Sequence, residues 1–207
     1  KVTIKPEQAT SEKVEQALYY VSKKSKTNLL IHLIEQNEID SVLVFSRTKH
    51  GANKIVKKLD QAKIKAEAIH GNKSQGARQR ALENFKNRET RVLIATDIAA
   101  RGIDVSQLEL VINLDLPNVP ETYVHRIGRT GRAKNSGVAI SFCDIEERPY
   151  LKDIEKLISQ KIPVVTDHPF AGEVEELPVK KTPTRGGRNY GKPKGDHTST
   201  RTKQRRR

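Results

Sequence analysis

A chain of 207 residues that is 35% hydrophobic but only 4% aromatic has to build its core from Leu, Ile, Val and Ala, which argues against an aromatic-rich sandwich and for helices laid on a buried sheet. The net charge of +14 sits mainly at one end: residues 177–207 hold eleven Lys and Arg against a single acid, Asp196, and the remainder carries only +4. No apolar run reaches bilayer-spanning length, and the lone Cys143 cannot close an internal disulfide, so neither a membrane partner nor a disulfide scaffold is expected, and a reducing, cytoplasmic setting is. The chain contains no Met and starts at Lys1, which reads as a piece of a longer protein.

Residues 11–20, with Val14, Leu18, Tyr19 and Tyr20, predict a lead-in strand, and 27–36 a helix carrying Leu29, Leu30, Leu33 and Ile34. The short β-branched run at 41–46 reads as a buried strand. Ala52, Ile55, Val56 and Leu59 at helical spacing then predict a helix over 48–61, with its lysines on the other face. A strand at 66–69 and a helix over 74–85 follow, with Ser74 at the N-cap and Ala77, Ala81, Leu82 and Phe85 inward. Strands are predicted at 91–95 and 108–113, and a helix over 120–129 with Pro120 suited to its first turn. A last strand at 138–142 and a helix over 144–158 complete the series, with Pro149 in a first turn or at a kink. Strands alternating with helices imply an α/β fold with a parallel sheet covered by helices on both faces. From Pro169 the periodicity stops, Gly and Pro accumulate and apolar residues almost vanish. The expected organisation is therefore a folded domain over 1–168 and a disordered basic tail over 169–207.

In such folds ligands meet the carboxyl ends of the strands. Just after the apolar runs stand Ser46-Arg47-Thr48, His70-Gly71-Asn72, Thr96-Asp97 and Asp115. The run from Tyr123 to Arg132 places Arg126, Arg129 and Arg132 at i, i+3 and i+6 beside Gly128 and Gly131. Glycines weaken a helix, whereas guanidinium groups so spaced suit bidentate phosphate recognition. The alternative is a solvated basic face at a helix end. In the run from Ala95 to Asp104, Thr96 and Asp97 at a strand end precede an Ala-rich turn, offering a hydroxyl and free N–H groups to phosphate oxygens. Asp104 could accept from a ribose hydroxyl, and Asp97 could equally be a helix cap.

The run His125-Arg126-Ile127-Gly128-Arg129-Thr130-Gly131-Arg132 resembles motif VI of the DEAD-box RNA helicases. Residues 95–104 resemble motif V of that family, 43–47 motif IV, 74–78 motif IVa and 113–117 the short motif after V, in the family's order. The wording from His70 to Arg78, with Lys161-Ile162-Pro163-Val164, resembles the bacterial RhlE-like branch. The resemblance implies the C-terminal RecA-like (P-loop NTPase-type) domain of an ATP-dependent RNA helicase. It implies that Arg129 and Arg132 are arginine fingers for ATP held by a first domain, and that His125 and Arg126 link to that domain's acidic motif. It implies that Asp104 and Gly102 approach the ATP ribose, and that Ser46, Arg47, Gly71, Arg78 and Thr96 grip the RNA backbone. Asp97 is expected to order motif V rather than touch ligand.

No Gly-x-x-x-x-Gly-Lys-Ser/Thr loop, Asp-Glu-Ala-Asp or Ser-Ala-Thr run is present, so Mg²⁺ is assigned to the N-terminal RecA-like domain, no metal ligand is expected here, and this piece alone is not expected to be active. The expected partners are RNA, ATP and that N-terminal domain. A second reading is a non-catalytic RNA-binding or docking module of a ribosome-assembly or RNA-degradation complex. A third is half of a DNA-directed helicase, which His125 disfavours. The tail, notably Arg185 to Arg188 and Arg205 to Arg207, is expected to add salt-sensitive RNA affinity.

Overall fold

The computed structural model describes residues 14–37, 40–101, 103, 105, 108–130 and 137–173. Six strands, β1 (Val14–Tyr20), β2 (Val42–Phe45), β3 (Ala66–Ile69), β4 (Val92–Ala95), β5 (Leu110–Asn113) and β6 (Gly137–Cys143), form one sheet in the order β1-β6-β5-β2-β4-β3. All five pairings are parallel. β2, β4 and β5 are buried at every position, as parallel strands covered on both faces must be, and this is why they read as unbroken apolar runs. The half-buried β3 and the alternating β1 lie at the two edges.

Among the described residues six helices cover the sheet: α1 (Lys26–Gln36), α2 (Lys49–Gln61), α3 (Gln75–Lys86), α4 (Asp97–Ala100), α5 (Pro120–Ile127) and α6 (Arg148–Ile158). Leu29, Leu30 and Ile34 of α1 and Ala52, Ile55 and Leu59 of α2 pack on Val42, Val44, Val92, Ile94, Leu110 and Ile112 on one face. The opposite face alternates in the same strands. There α3 and α4 cover Leu43, Phe45, Leu93, Ala95 and Val111, while α5 and α6 cover Leu18, Ala139 and Cys143. Each fully buried Leu or Ile in these layers contributes roughly 1.5–3 kcal/mol of transfer free energy.

Local chemistry sets the boundaries. The Thr48 side chain caps α2 by accepting from the Gly51 N–H, and the Ser74 side chain caps α3 by accepting from Ala77. The helix expected from 144 splits. Asp144 closes a capping box over a 3₁₀ turn, Ile145–Glu147, and α6 begins only at Arg148 with Pro149 in its first turn, where the missing N–H is not needed. Leu108, expected inside a strand, instead makes an isolated bridge with Thr130. Cys143 is buried, and burial pushes its thiol up to about 12, which suits a core residue and not a nucleophile.

The expected boundary at 168 needs correction. Phe170 packs against the α1–α2 layer, His168 meets the Tyr19 ring at 5.3 Å, and Ala171–Glu173 forms a 3₁₀ turn. Residues 169–173 therefore belong with the body, because Phe170 supplies an apolar anchor within an otherwise polar stretch. The rest of the expected tail lies outside the described residues.

From β2 the chain moves through α2 toward β3, and from β5 it moves through α5 toward β6, in opposite directions along the sheet. β2 and β5 are neighbours, with Phe45 and Asn113 in register at their carboxyl ends. That crevice is where such topology opens a binding site.

Candidate nucleotide and RNA face at the carboxyl rim

Four turns meet at this rim, following β2, β3, β4 and β5. At its centre lies Arg126, only 2% exposed. Its Nε and Nη2 donate to the two Asp97 oxygens at 2.6 and 2.8 Å, and Nη1 donates to Asn113 Oδ1 at 3.1 Å and to the Asp115 carbonyl at 2.6 Å. The guanidinium lies 4.9 Å from the Phe45 ring centroid. A buried charge needs this degree of pairing to be tolerated. In this structure the Arg126 donors are turned to the interior, because Asp97 opens α4 directly opposite it. Both Asp97 carboxylate oxygens accept from Arg126.

Arg129 is held differently. It lies beyond the last residue of α5, half-buried, and its Nη1 and Nη2 donate to the carbonyls of Ile103 and Ala100 at 3.1 and 3.3 Å. It has no carboxylate partner among the described residues. Carbonyls orient the fork while leaving its charge uncompensated, which suits an anion arriving from outside. His125 is exposed beside it. Phe45, Asp97, Ala100, Arg101, Thr122, His125, Arg126 and Arg129 line a shallow concavity of about 50 Å³, too small to enclose a nucleotide and suited to covering one side of it. A larger hollow of about 220 Å³ between Val21–Lys24 and Asp144–Glu146 contains none of the predicted residues; chemistry marks the site here, and volume does not. Gly102, Asp104 and Arg132 lie outside the described residues.

The residues expected on RNA divide into two groups. Ser46 is 1% exposed and its Oγ donates to Asp115 Oδ2 at 3.3 Å, so its hydroxyl is turned into the protein. The Arg47 N–H donates to the same oxygen at 2.9 Å, and its Nη2 to Glu147 Oε1 at 2.8 Å and the Leu116 carbonyl at 2.9 Å. The Arg47 side chain is still 44% exposed and leaves an edge free. Gly71 is exposed, and a Cβ there would meet nothing within 4 Å, so packing within the domain does not require glycine at this position. Thr96 precedes α4 without using its hydroxyl as a cap. Arg78 is half-buried, donates to the Ala99 carbonyl at 3.3 Å, and keeps a buried Nε with no partner.

Two features had no sequence signal. Lys26, one residue before the helix expected over 27–36, is 2% exposed. Its Nζ reaches Glu147 at 2.6 Å, Asp144 at 3.2 Å and Asp115 at 3.3 Å. Burial works against its charge, but Glu147 and Asp115 outweigh burial and raise its pKa, while Lys26 in turn holds Asp115 below the usual carboxylate range against burial. This cluster fixes the turn that carries Ser46 and Arg47. His70 is likewise buried, with Nε2 at 2.9 Å from Asn53 Oδ1 and Nδ1 accepting the Asn72 N–H at 3.3 Å. That pattern places the single proton on Nε2 and braces the Gly71–Asn72 turn.

The short α4 ties the rim together. Arg78 from α3 holds the Ala99 carbonyl, Arg129 holds that of Ala100, and Arg126 holds Asp97. One four-residue helix is gripped from both sides of the rim.

Comparison with known proteins identifies the family. A family model described as "Helicase conserved C-terminal domain" matches residues 25–134. The chain is 39% identical over 204 residues to the ATP-dependent RNA helicase RhlB of Shewanella frigidimarina, covering 96% of this chain and 46% of that protein. It is 40% identical over 180 residues to the ATP-dependent RNA helicase DbpA of Bacillus subtilis, covering 87% and 37%. The chain thus spans about half the length of the curated relatives it matches. Among solved structures, Escherichia coli SrmB bound to RraA superposes with a TM-score of 0.70 at 35% identity, covering 73% of this chain and 90% of that one. A DEAD box protein from Methanococcus jannaschii also gives 0.70, at 40% identity, covering 75% and 42%. With the parallel sheet, the motif order and the α4 clamp, these matches show that the chain belongs to the helicase C-terminal domain family, as the C-terminal RecA-like domain of a DEAD-box RNA helicase.

Proposed function

We propose that this domain is the second half of an RNA-stimulated ATP hydrolase of the RhlE-like branch, which couples hydrolysis to local opening of RNA duplexes. The observation that carries the reading is α4, held by Arg78 on the side expected to meet RNA and by Arg126 and Arg129 on the side expected to meet nucleotide. ATP, bound by the N-terminal RecA-like domain with its Mg²⁺, supplies the γ-phosphoryl group for transfer to water. Arg129 fits that anion because its guanidinium is oriented by carbonyls and not neutralised. Arg132 adds the second finger, with Asp104 and Gly102 at the ribose. Arg126 acts through Asp97 by holding α4 in place, and His125 faces the partner domain from the exposed rim.

On the RNA side, the backbone of the Gly71 turn, the hydroxyl of Thr96 and the free edges of Arg47 and Arg78 contact sugar and phosphate and not base edges. Such contacts position a strand without reading its sequence. A strand that draws Arg78 or Thr96 toward itself shifts α4, and α4 carries the two carbonyls that aim Arg78 and Arg129. Binding on one side is thereby linked to presentation of the finger on the other.

The test is ATP hydrolysis by the two-domain protein with and without RNA, with matched DNA as comparator and this chain alone as blank. The reading expects strong stimulation by RNA, little by DNA and no turnover by the chain alone. RNA-independent turnover, or equal stimulation by DNA, would overturn it.

A further inference from the structure

The +4 balance of residues 1–176 is not spread evenly. Residues 49–73 hold seven lysines against Asp60 and Glu67, a balance of +5, so the rest of the body is slightly acidic. Most of this charge lies on α2. Its buried Ala52, Ile55 and Leu59 face the sheet, which turns His50, Lys54 and Lys57 outward as one ridge at i, i+4 and i+7, with Lys58 at its flank. His50, Lys54 and Lys57 are exposed and Lys58 half-buried. None of the three lysines has a carboxylate in ion-pair reach among the described residues. Asp60 follows in the last turn of α2, and Glu67 is engaged by Asn84 at 3.0 Å. A solvated surface helix ordinarily interleaves the two signs of charge; this one does not over its first eleven residues.

The ridge is continuous with the rim. α2 starts directly after Arg47 and Thr48, and Lys49 Nζ donates to Asn72 Oδ1 at 3.1 Å, joining the helix to the exposed Gly71–Asn72–Lys73 turn. From there thirteen residues run down the side of the domain, about 20 Å at 1.5 Å per residue. The geometry points to a second RNA-binding segment on α2: a track on which Lys54, Lys57 and Lys58 hold the phosphates of the strand that flanks the part gripped at the rim. The inference rests on the reading of the rim as the RNA face. Its consequence is an occupied length of single strand longer than the rim alone spans, and a salt dependence beyond that of the rim contacts.

The experiment measures binding of this full chain to a short single-stranded RNA and to the same RNA extended at both ends, across a salt series. The variants are Lys54→Gln/Lys57→Gln/Lys58→Gln, the matched-charge control Lys24→Gln/Lys152→Gln/Lys156→Gln, and Arg78→Ala. Losing three phosphate contacts should lower affinity for the extended strand roughly tenfold and reduce the slope of log K on log salt by about 2, at about 0.7 per contact on a single strand. Affinity for the short strand should stay within about twofold, and the control should change neither strand's slope by more than about 0.5. Equal losses in the α2 variant and the control, or an unchanged slope on the extended strand, would overturn the inference. So would lysine-dependent binding of polyglutamate with none of the extended RNA, which would assign the ridge to an acidic protein. If Arg78→Ala leaves both strands unaffected while the α2 variant still weakens the extended one, the rim reading fails and the ridge stands.

Discussion

At the residue scale the arginines of one short run divide by partner. Arg126 is locked on Asp97 inside the rim and Arg129 is aimed outward by carbonyls. Asp97→Asn should therefore leave a buried, under-compensated guanidinium and destabilise the fold by about 2–4 kcal/mol, read from urea unfolding. Arg129→Ala should change stability by less than about 1 kcal/mol. Comparable losses in the two variants would remove the distinction. The resemblance gave the two arginines different roles, but the sequence could not show that Arg126 is turned to the interior. The difference is made by Phe45, Asn113 and Asp97, which lie on three other elements, and by α4, which read only as an Ala-rich turn. Lys26 escaped for a similar reason: its three carboxylates come from segments some ninety to one hundred and twenty residues away, and no local pattern announces them. Lys26→Met should cost about 3–5 kcal/mol, because Glu147 and Asp144 would remain buried, and Asp115 half-buried, with only the partly exposed Arg47 left to face them. An unchanged denaturation midpoint would show that the cluster is not held by that charge.

At the scale of elements, the strands were legible because parallel strands buried on both faces leave continuous apolar runs, and β2, β4 and β5 stand within two residues of expectation. The cap at Ser74 was readable from its place before the helical pattern, whereas Thr48, expected inside its helix, caps α2. What needed the structure was the bracing between turns, of which His70 is the clearest case. Burial, followed by Lys73, Lys49 and His50, lowers its pKa below the ordinary 6.5. A histidine held neutral in the fold but free to protonate when unfolded contributes stability that is fully present above the unfolded value and lost as pH falls through the interval down to the folded one. Stability of the chain should accordingly drop between about pH 7 and the folded pKa, and His70→Asn, which removes the titration, should flatten that part of the profile. His168 is lowered too, by burial and by His32, so the comparison between variant and parent isolates the His70 share. Identical pH profiles would show that the Asn53–His70–Asn72 brace does not depend on the neutral ring.

For the whole molecule, the sheet order and the rim explain how a domain without a phosphate loop gathers groups that suit phosphate. The crossing between β2 and β5 opens the crevice, α4 fills its floor, and the four turns around it place guanidinium, backbone and hydroxyl groups on the same side. On the proposed reading the domain covers a nucleotide and a strand and encloses neither. The matched relatives are about twice its length, and the proposed activity needs the other RecA-like domain to hold what this one covers. The account turns on Arg129 being presented to the γ-phosphate. The direct measurement is single-turnover hydrolysis of bound ATP by the two-domain protein carrying Arg129→Ala, at saturating RNA, beside a titration of ATP affinity. The account predicts a loss of roughly 10³-fold or more in the hydrolysis step with ATP binding little changed. Hydrolysis within a few-fold of the parent would contradict it.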